Sequence, residues 1–137
     1  MSMFFSAQPI KGPQALGVIR IITGLLLAYH GWEVFDKEIM NSYLQWDKFG
    51  GDIGKVMVYS GKSAELIAGI LLGIGWQTRI ASLLTIFTLS YIAFFVGKGR
   101  VWYEDQHPFL FVLLGILFFF LGPGSWSFDG LRMRKKH

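Results

Sequence analysis

The sequence predicts an all-α membrane protein, folded as a bundle of four transmembrane helices. Three observations lead there. Of the 137 residues, 53% are hydrophobic and only 16% are charged, whereas a soluble domain carries about 25% charged residues. Mean hydropathy is +0.45, so there is too little polar surface to cover a water-facing globule. Four apolar runs fill most of the chain, each near the roughly 20 residues that cross a hydrocarbon core of about 30 Å. This composition argues against a disordered chain, a nucleic-acid module and an ordinary soluble enzyme.

The chain reads as a single domain over residues 1–137. The first expected span covers residues 14–35 and is interrupted by Arg20, His30 and Glu33. The second, 56–76, carries Lys62 and Glu65 in its first half, and the third, 79–97, holds no formal charge after Arg79. The fourth, 108–122, opens at Pro108, a residue suited to a helix start, and stops at Gly122-Pro123-Gly124. Residues 36–55 form the one polar stretch of any length, an extramembrane loop. Within it Ile39, Met40, Tyr43, Trp46 and Phe49 recur near helical spacing. That spacing predicts a short amphipathic helix on the membrane surface, ended by Gly50-Gly51. A solvated loop with scattered aromatics is the other reading. The first twelve residues lack a basic n-region, so no cleavable signal peptide is expected.

The net charge of +4 looks at first like a nucleic-acid signature. The bases are spread through loops, however, and only Arg132, Arg134, Lys135 and Lys136 cluster. A basic cluster after a membrane span reads as a cytoplasmic flank, so no nucleic-acid partner is expected. An even number of spans puts both termini on one side. Lys11, Arg79 and the tail lie there, against Lys37, Lys48, Lys55, Lys62, Lys98 and Arg100 opposite, which leaves the basic count tied. The dense tail and the short Gln77-Thr78 turn place both termini in the cytoplasm, with the chain in the cell (inner) membrane. Trp32, Trp46 and Trp102 then form one interfacial belt, and Trp76 with Trp126 the other. Cysteine is absent, which excludes disulfides, thiolate metal sites and a thiol relay within the chain.

Helices in lipid pack through small residues that allow close approach. Gly17, Gly24 and Gly31 recur seven apart in the first span, Gly61, Gly69 and Gly73 share a register in the second, and Gly115 and Gly122 mark the fourth. Arg20 shares the face of Gly17 and Gly24, Glu65 that of Gly61 and Gly69, and His107 that of Gly115 if its helix extends back through Pro108. Charges at the bilayer centre cost about 2.5–3.5 kcal/mol on insertion scales, so they are usually paired. Arg20 lies roughly six residues, about 9 Å, inside its helix. Its reachable partner is Asp129, with Arg79 nearby, in a network that would lock the tail onto spans one and three. Glu65 shares its level with His30, Glu33, Lys62 and His107 at the opposite end. Two histidines and two carboxylates on three helices make this the candidate ligand site: His30, Glu33, Glu65 and His107. Such a cluster suits proton transfer or hydrogen bonding to a quinone carbonyl. An interhelical network that sets helix register is the plainer reading. A metal is not expected, because the ligands lack a recognisable spacing.

These residues resemble the DoxX family of small membrane proteins. The resemblance rests on Arg20 with Gly24 and His30-Gly31, on Glu65-x-x-x-Gly69 with Leu72-Gly73, and on Arg79-Ile80-Ala81. The closing Leu121-Gly122-Pro123-Gly124-Ser125-Trp126-Ser127-Phe128-Asp129 completes it, and together the motifs cover about residues 15–130. The resemblance implies a four-helix transmembrane bundle, distantly similar in fold to vitamin K epoxide reductases. It also implies a role like that of relatives described as small subunits of thiosulfate:quinone oxidoreductase or of a terminal quinol oxidase. Others are linked to oxidative-stress complexes. One departure stands out: members often place a lysine soon after the His-Gly pair, whereas here Trp32, Glu33 and Val34 follow and the first lysine is Lys37.

Three functions are carried forward. The first is a quinone-interacting or accessory subunit of a membrane oxidoreductase complex, with a quinone as the redox group and the lipid bilayer and a redox subunit as partners. The second is a non-enzymatic scaffold or assembly factor for a partner protein, a role found among distant DoxX-like relatives. The third is transport of a small solute, which in so short a chain would call for a homo-oligomer.

Overall fold

The computed structural model describes residues 3–45, 51–96, 99–100, 102–103 and 106–131. Trp46, Lys48, Phe49, Gly50, Lys98 and the basic cluster Arg132, Arg134, Lys135 and Lys136, all used in the expectations above, lie outside the described residues. The described residues are helical apart from turns and short connections. Helix α1 runs Gly12–Gly31, with Pro13 in its first turn, and continues as a 3-10 turn over Trp32–Phe35. Asp36 then turns extended, and its carboxylate accepts the backbone N–H groups of Glu38 and Ile39 at 3.0 and 3.2 Å. One acidic side chain therefore stops the first helical segment and caps the next.

The capped helix, α2, spans Lys37–Leu44. It lies within the polar stretch where a short helix was expected. Met40 is wholly buried against Val58, beside Val34, Met57 and Tyr59. Met40 thereby ties α2 to the first half of the next helix, α3, while Ile39 stays exposed.

Helix α3, Gly51–Ile74, begins earlier than expected and is the longest of the five. It ends where Gly75 adopts φ +71°. There Gly75 N–H donates to the Leu72 carbonyl and Trp76 N–H to that of Leu71, the paired bonds of a Schellman stop. Helix α4, Thr78–Tyr91, passes into a π-helical turn over Ile92–Val96. Helix α5, Gln106–Leu121, starts two residues before Pro108 and ends at Gly122, whose φ is +81°. A further helical turn covers residues 128–131.

The long helices pack in chain order, α1 along α3, α3 on α4 and α4 on α5, while α1 barely meets α5. Glycine sets the closest of these approaches. A Cβ on Gly24 would collide with the backbone of Gly69 and Gly73, one on Gly69 with Ala28, and one on Gly31 with Leu66. At Gly17 the neighbour is the Ser125 backbone, and at Gly115 it is Ile86 and Ser82. Three glycines depart from the expected stripes. A Cβ at Gly61 or Gly73 would meet nothing within 4 Å, and Gly122 serves a left-handed turn with open space around it.

Polar side chains share the interior with the apolar core, and large apolar ones also cover the outside. Arg20, Thr23, Glu65, Thr78, Ser82 and Thr85 are buried, whereas Leu25, Phe87 and Phe120 are 64%, 70% and 73% exposed. The hydroxyls of Thr23, Ser82 and Thr85 donate to carbonyls one turn back in their own helices at 2.6–2.9 Å, so they enter the interior satisfied. Two helical segments, Gly12–Phe35 and Asp52–Ile74, are long and apolar enough to cross a membrane. Thr78–Phe94 and Gln106–Leu121 are shorter apolar helices.

Because the two glycines meet their surroundings differently, Gly24→Ala and Gly73→Ala should diverge. Gly24→Ala overpacks the α1–α3 contact and should cost about 1–3 kcal/mol in SDS-titration unfolding. Gly73→Ala should be neutral or stabilising, since alanine is the better helix former.

Candidate functional site

The helices enclose a cleft of about 740 Å³ at the end of the assembly where α1 stops and α5 begins. Leu27 and His30 reach it from α1, Met57, Val58, Gly61, Lys62 and Glu65 from α3, Thr88, Leu89 and Tyr91 from α4, Ile92 from the π turn, and His107, Pro108 and Phe111 from α5. Most of this lining is apolar, and the polar groups are few. That combination is typical of small-molecule sites, whose volumes run from about 300 to 1,000 Å³.

Each polar group has a defined origin. His30 occupies the last turn of α1 and His107 the first turn of α5. Their rings meet edge-to-face, with centroids 5.2 Å apart, and Phe111 packs against both at 5.3 and 6.5 Å. Glu65 lies on the buried face of α3, at 3% exposure. A carboxylate there is stable only if its charge is matched. Lys62, one turn earlier, places Nζ 3.4 Å from Glu65 Oε2 and 3.2 Å from Glu33 Oε2. Lys62 thus joins α3 to the turn that follows α1. Of the four ligand candidates, His30, Glu65 and His107 line the cleft, while Glu33 stands outside its wall and faces Lys62. The imidazoles can each donate or accept, and Lys62 is a held cationic donor. A ligand carrying carbonyl or hydroxyl groups would find partners at this wall.

Thr88 and Tyr91 also line the cleft, and neither was singled out from sequence. Their helix has no charge after Arg79 to draw notice. A signal was nevertheless present, because Thr78, Ser82, Thr85 and Thr88 follow each other at intervals of four, three and three. That spacing is a hydroxyl stripe down one helix face.

The second polar layer lies at the other end and works differently from expectation. Arg20 is completely buried. Its Nε donates to the Leu72 carbonyl at 2.8 Å, its Nη2 to that of Trp126 at 2.8 Å, and its Nη1 to those of Pro123 and Ser125. Asp129, the expected partner, is not among these acceptors. Asp129 instead accepts the N–H groups of Gln77 and Thr78 at 2.9 and 2.8 Å, capping α4 from a distant part of the chain. Its charge still stabilises the arginine through space. Arg79 is exposed and makes no hydrogen bond or ion pair among the described residues, so it takes no part in this layer.

A family profile for DoxX matches residues 15–98, more than half of the chain. The chain belongs to the DoxX family. Its family membership and its two long apolar helices identify it as a membrane protein. An uncharacterized protein of Haemophilus influenzae is 25% identical over 130 residues, which cover 90% of this chain and 94% of that relative. No solved structure matches the chain. The DoxX match contains Arg20, His30, Lys62 and Glu65, while His107 and Asp129 lie beyond it.

The arginine layer yields a graded expectation. Arg20→Met strips donors from buried carbonyls, each costing about 1–3 kcal/mol, so the folded state should lose more than about 3 kcal/mol in SDS titration. Asp129→Asn keeps one acceptor and should lose only about 1 kcal/mol. Equal losses would mean that the layer is held by the Arg20–Asp129 attraction.

Proposed function

We propose that this DoxX protein is a quinone-interacting subunit of a membrane oxidoreductase complex, with its quinone held in the cleft. The observation that carries the reading is the cleft's division into a long apolar lining and one polar wall of His30, His107, Lys62 and Glu65. A quinone has the same division, a ring with two carbonyls and an apolar tail. His30 and His107 are suited to donate to a ring carbonyl, and Phe111 to pack against the ring edge. Lys62, neutralised by Glu33 and Glu65, supplies a donor without adding net positive charge to an apolar site. The bound quinone would carry electrons, and the partner subunit would deliver or receive them.

In the same proposal all four long helices cross the membrane and both termini face the cytoplasm. The support is the outward face of the two shorter helices, where Ile80, Leu83 and Phe87 on α4 and Leu110, Leu113 and Phe120 on α5 are exposed. Such a face is stable only against lipid or another protein. The π turn after Tyr91 also carries α4 on to Val96.

Decylubiquinone should raise the thermal unfolding midpoint of the protein in lipid nanodiscs. Glu65→Gln and His30→Ala should each weaken its apparent affinity about tenfold, the equivalent of one lost hydrogen bond. No shift in the wild type, or unchanged affinity in both variants, would overturn the quinone reading. The cysteine-free sequence also makes single-cysteine mapping direct. Ser6→Cys and Leu131→Cys should react together from the cytoplasmic side with an impermeant maleimide, and Trp102→Cys from the other. Opposite-side labelling of Ser6→Cys and Leu131→Cys would exclude an even number of spans.

A further inference from the structure

We infer that Gly61 determines the size of the ligand that the cleft admits, and that the cleft takes an amphipathic, lipid-like molecule whose apolar body occupies the space beside this residue. The inference rests on reading the cleft as a binding site and adds the residue that shapes it. Val58, Gly61, Glu65, Ala68 and Leu72 follow one another at alternating intervals of three and four along α3, which places them on one helix face. Four of them are buried: Val58 at 6% exposure, Glu65 at 3%, and Ala68 and Leu72 at 0%. Gly61 lies between Val58 and Glu65 on this inward stripe. A side chain there would be expected to strike a neighbouring helix, yet a Cβ built on it meets no atom within 4 Å. The space it faces is the cleft, which Gly61 lines.

The usual reasons for a helical glycine do not apply. Gly24, Gly31 and Gly69 are required because another helix's backbone lies where their Cβ would be. Gly75 and Gly122 adopt positive φ. Gly61 has neither feature, and glycine within a helix is less stable than alanine. What its missing side chain provides is volume. Around that volume Met57, Val58 and Leu89 present apolar surface, while Lys62 and Glu65 stand beside it on the same helix. A polar head at the histidine wall and an apolar body against Gly61 can therefore be held together.

The test is a graded series, Gly61→Ala, Gly61→Leu and Gly61→Phe, with each full-length variant reconstituted in nanodiscs. Two probes are used, decylubiquinone and decanol, which share a tail but not a ring. The readout is the rise in unfolding midpoint on adding each probe. Without a probe, Gly61→Ala should unfold at or above the wild-type midpoint, as expected of an open position. The rise produced by any probe that binds the wild type should shrink from alanine to leucine and vanish at phenylalanine. If only decanol stabilises the wild type, the quinone reading fails, and the same progressive loss would still uphold the role of Gly61. Three results would overturn the inference: a midpoint lowered by Gly61→Ala, probe responses equal across the series, or no response to either probe in the wild type.

Discussion

Arg20 brings a permanent charge into the interior of an apolar helix assembly, and the surrounding structure is organised to receive it. A guanidinium has five N–H donors in a rigid plane. Here that plane is matched by the Leu72 carbonyl near the end of α3 and by three carbonyls of the segment after α5. The arginine thereby joins the first helix, the second long helix and the segment that follows α5. The same contacts explain several backbone features nearby. Gly17 is small because Ser125 crosses it, and Gly75 leaves room for the guanidinium while terminating α3. Ser125 N–H closes onto Pro13, and Asp129 N–H onto Gly75. With the tail held there, the Asp129 carboxylate can cap α4.

This end of the molecule is closed by backbone, and the opposite end is held more loosely by side chains. There Lys62 bridges Glu33 and Glu65, and the two histidines touch across α1 and α5. The space left between them is the cleft. A dense layer held by backbone bonds at one end thus contrasts with an open, partly polar cleft at the other. Small residues along α1 and α3 hold the middle, because lipid offers little hydrophobic driving force for helices to associate.

Much of this was legible beforehand. Apolar runs located the long helices to within a few residues, and the glycine spacing marked the face on which α1 meets α3. The ionisable residues inside those runs pointed to the polar layers, since such residues are rare in lipid. Other features were not legible. Asp129 was matched with Arg20 by charge and depth, yet the arginine's acceptors are carbonyls, which every residue possesses and no letter of the sequence distinguishes. Glu33 was grouped with the cleft by its position along the chain, but it does not line the cleft and reaches it only through its ion pair with Lys62. Met40 and Ile39 are neighbours in α2, and which of them would be covered depended on where α3 lay.

The sequence by itself determined the helical class, the preference for lipid and the identity of the charges that must be accommodated, because these follow from composition and local spacing. Only the tertiary structure decided what each of those residues does. Gly61 and Gly69 lie on the same helix and were read as one packing stripe. One faces an open cleft and the other meets the backbone of α1. The difference lies in what stands opposite, which depends on the paths of helices distant in the chain.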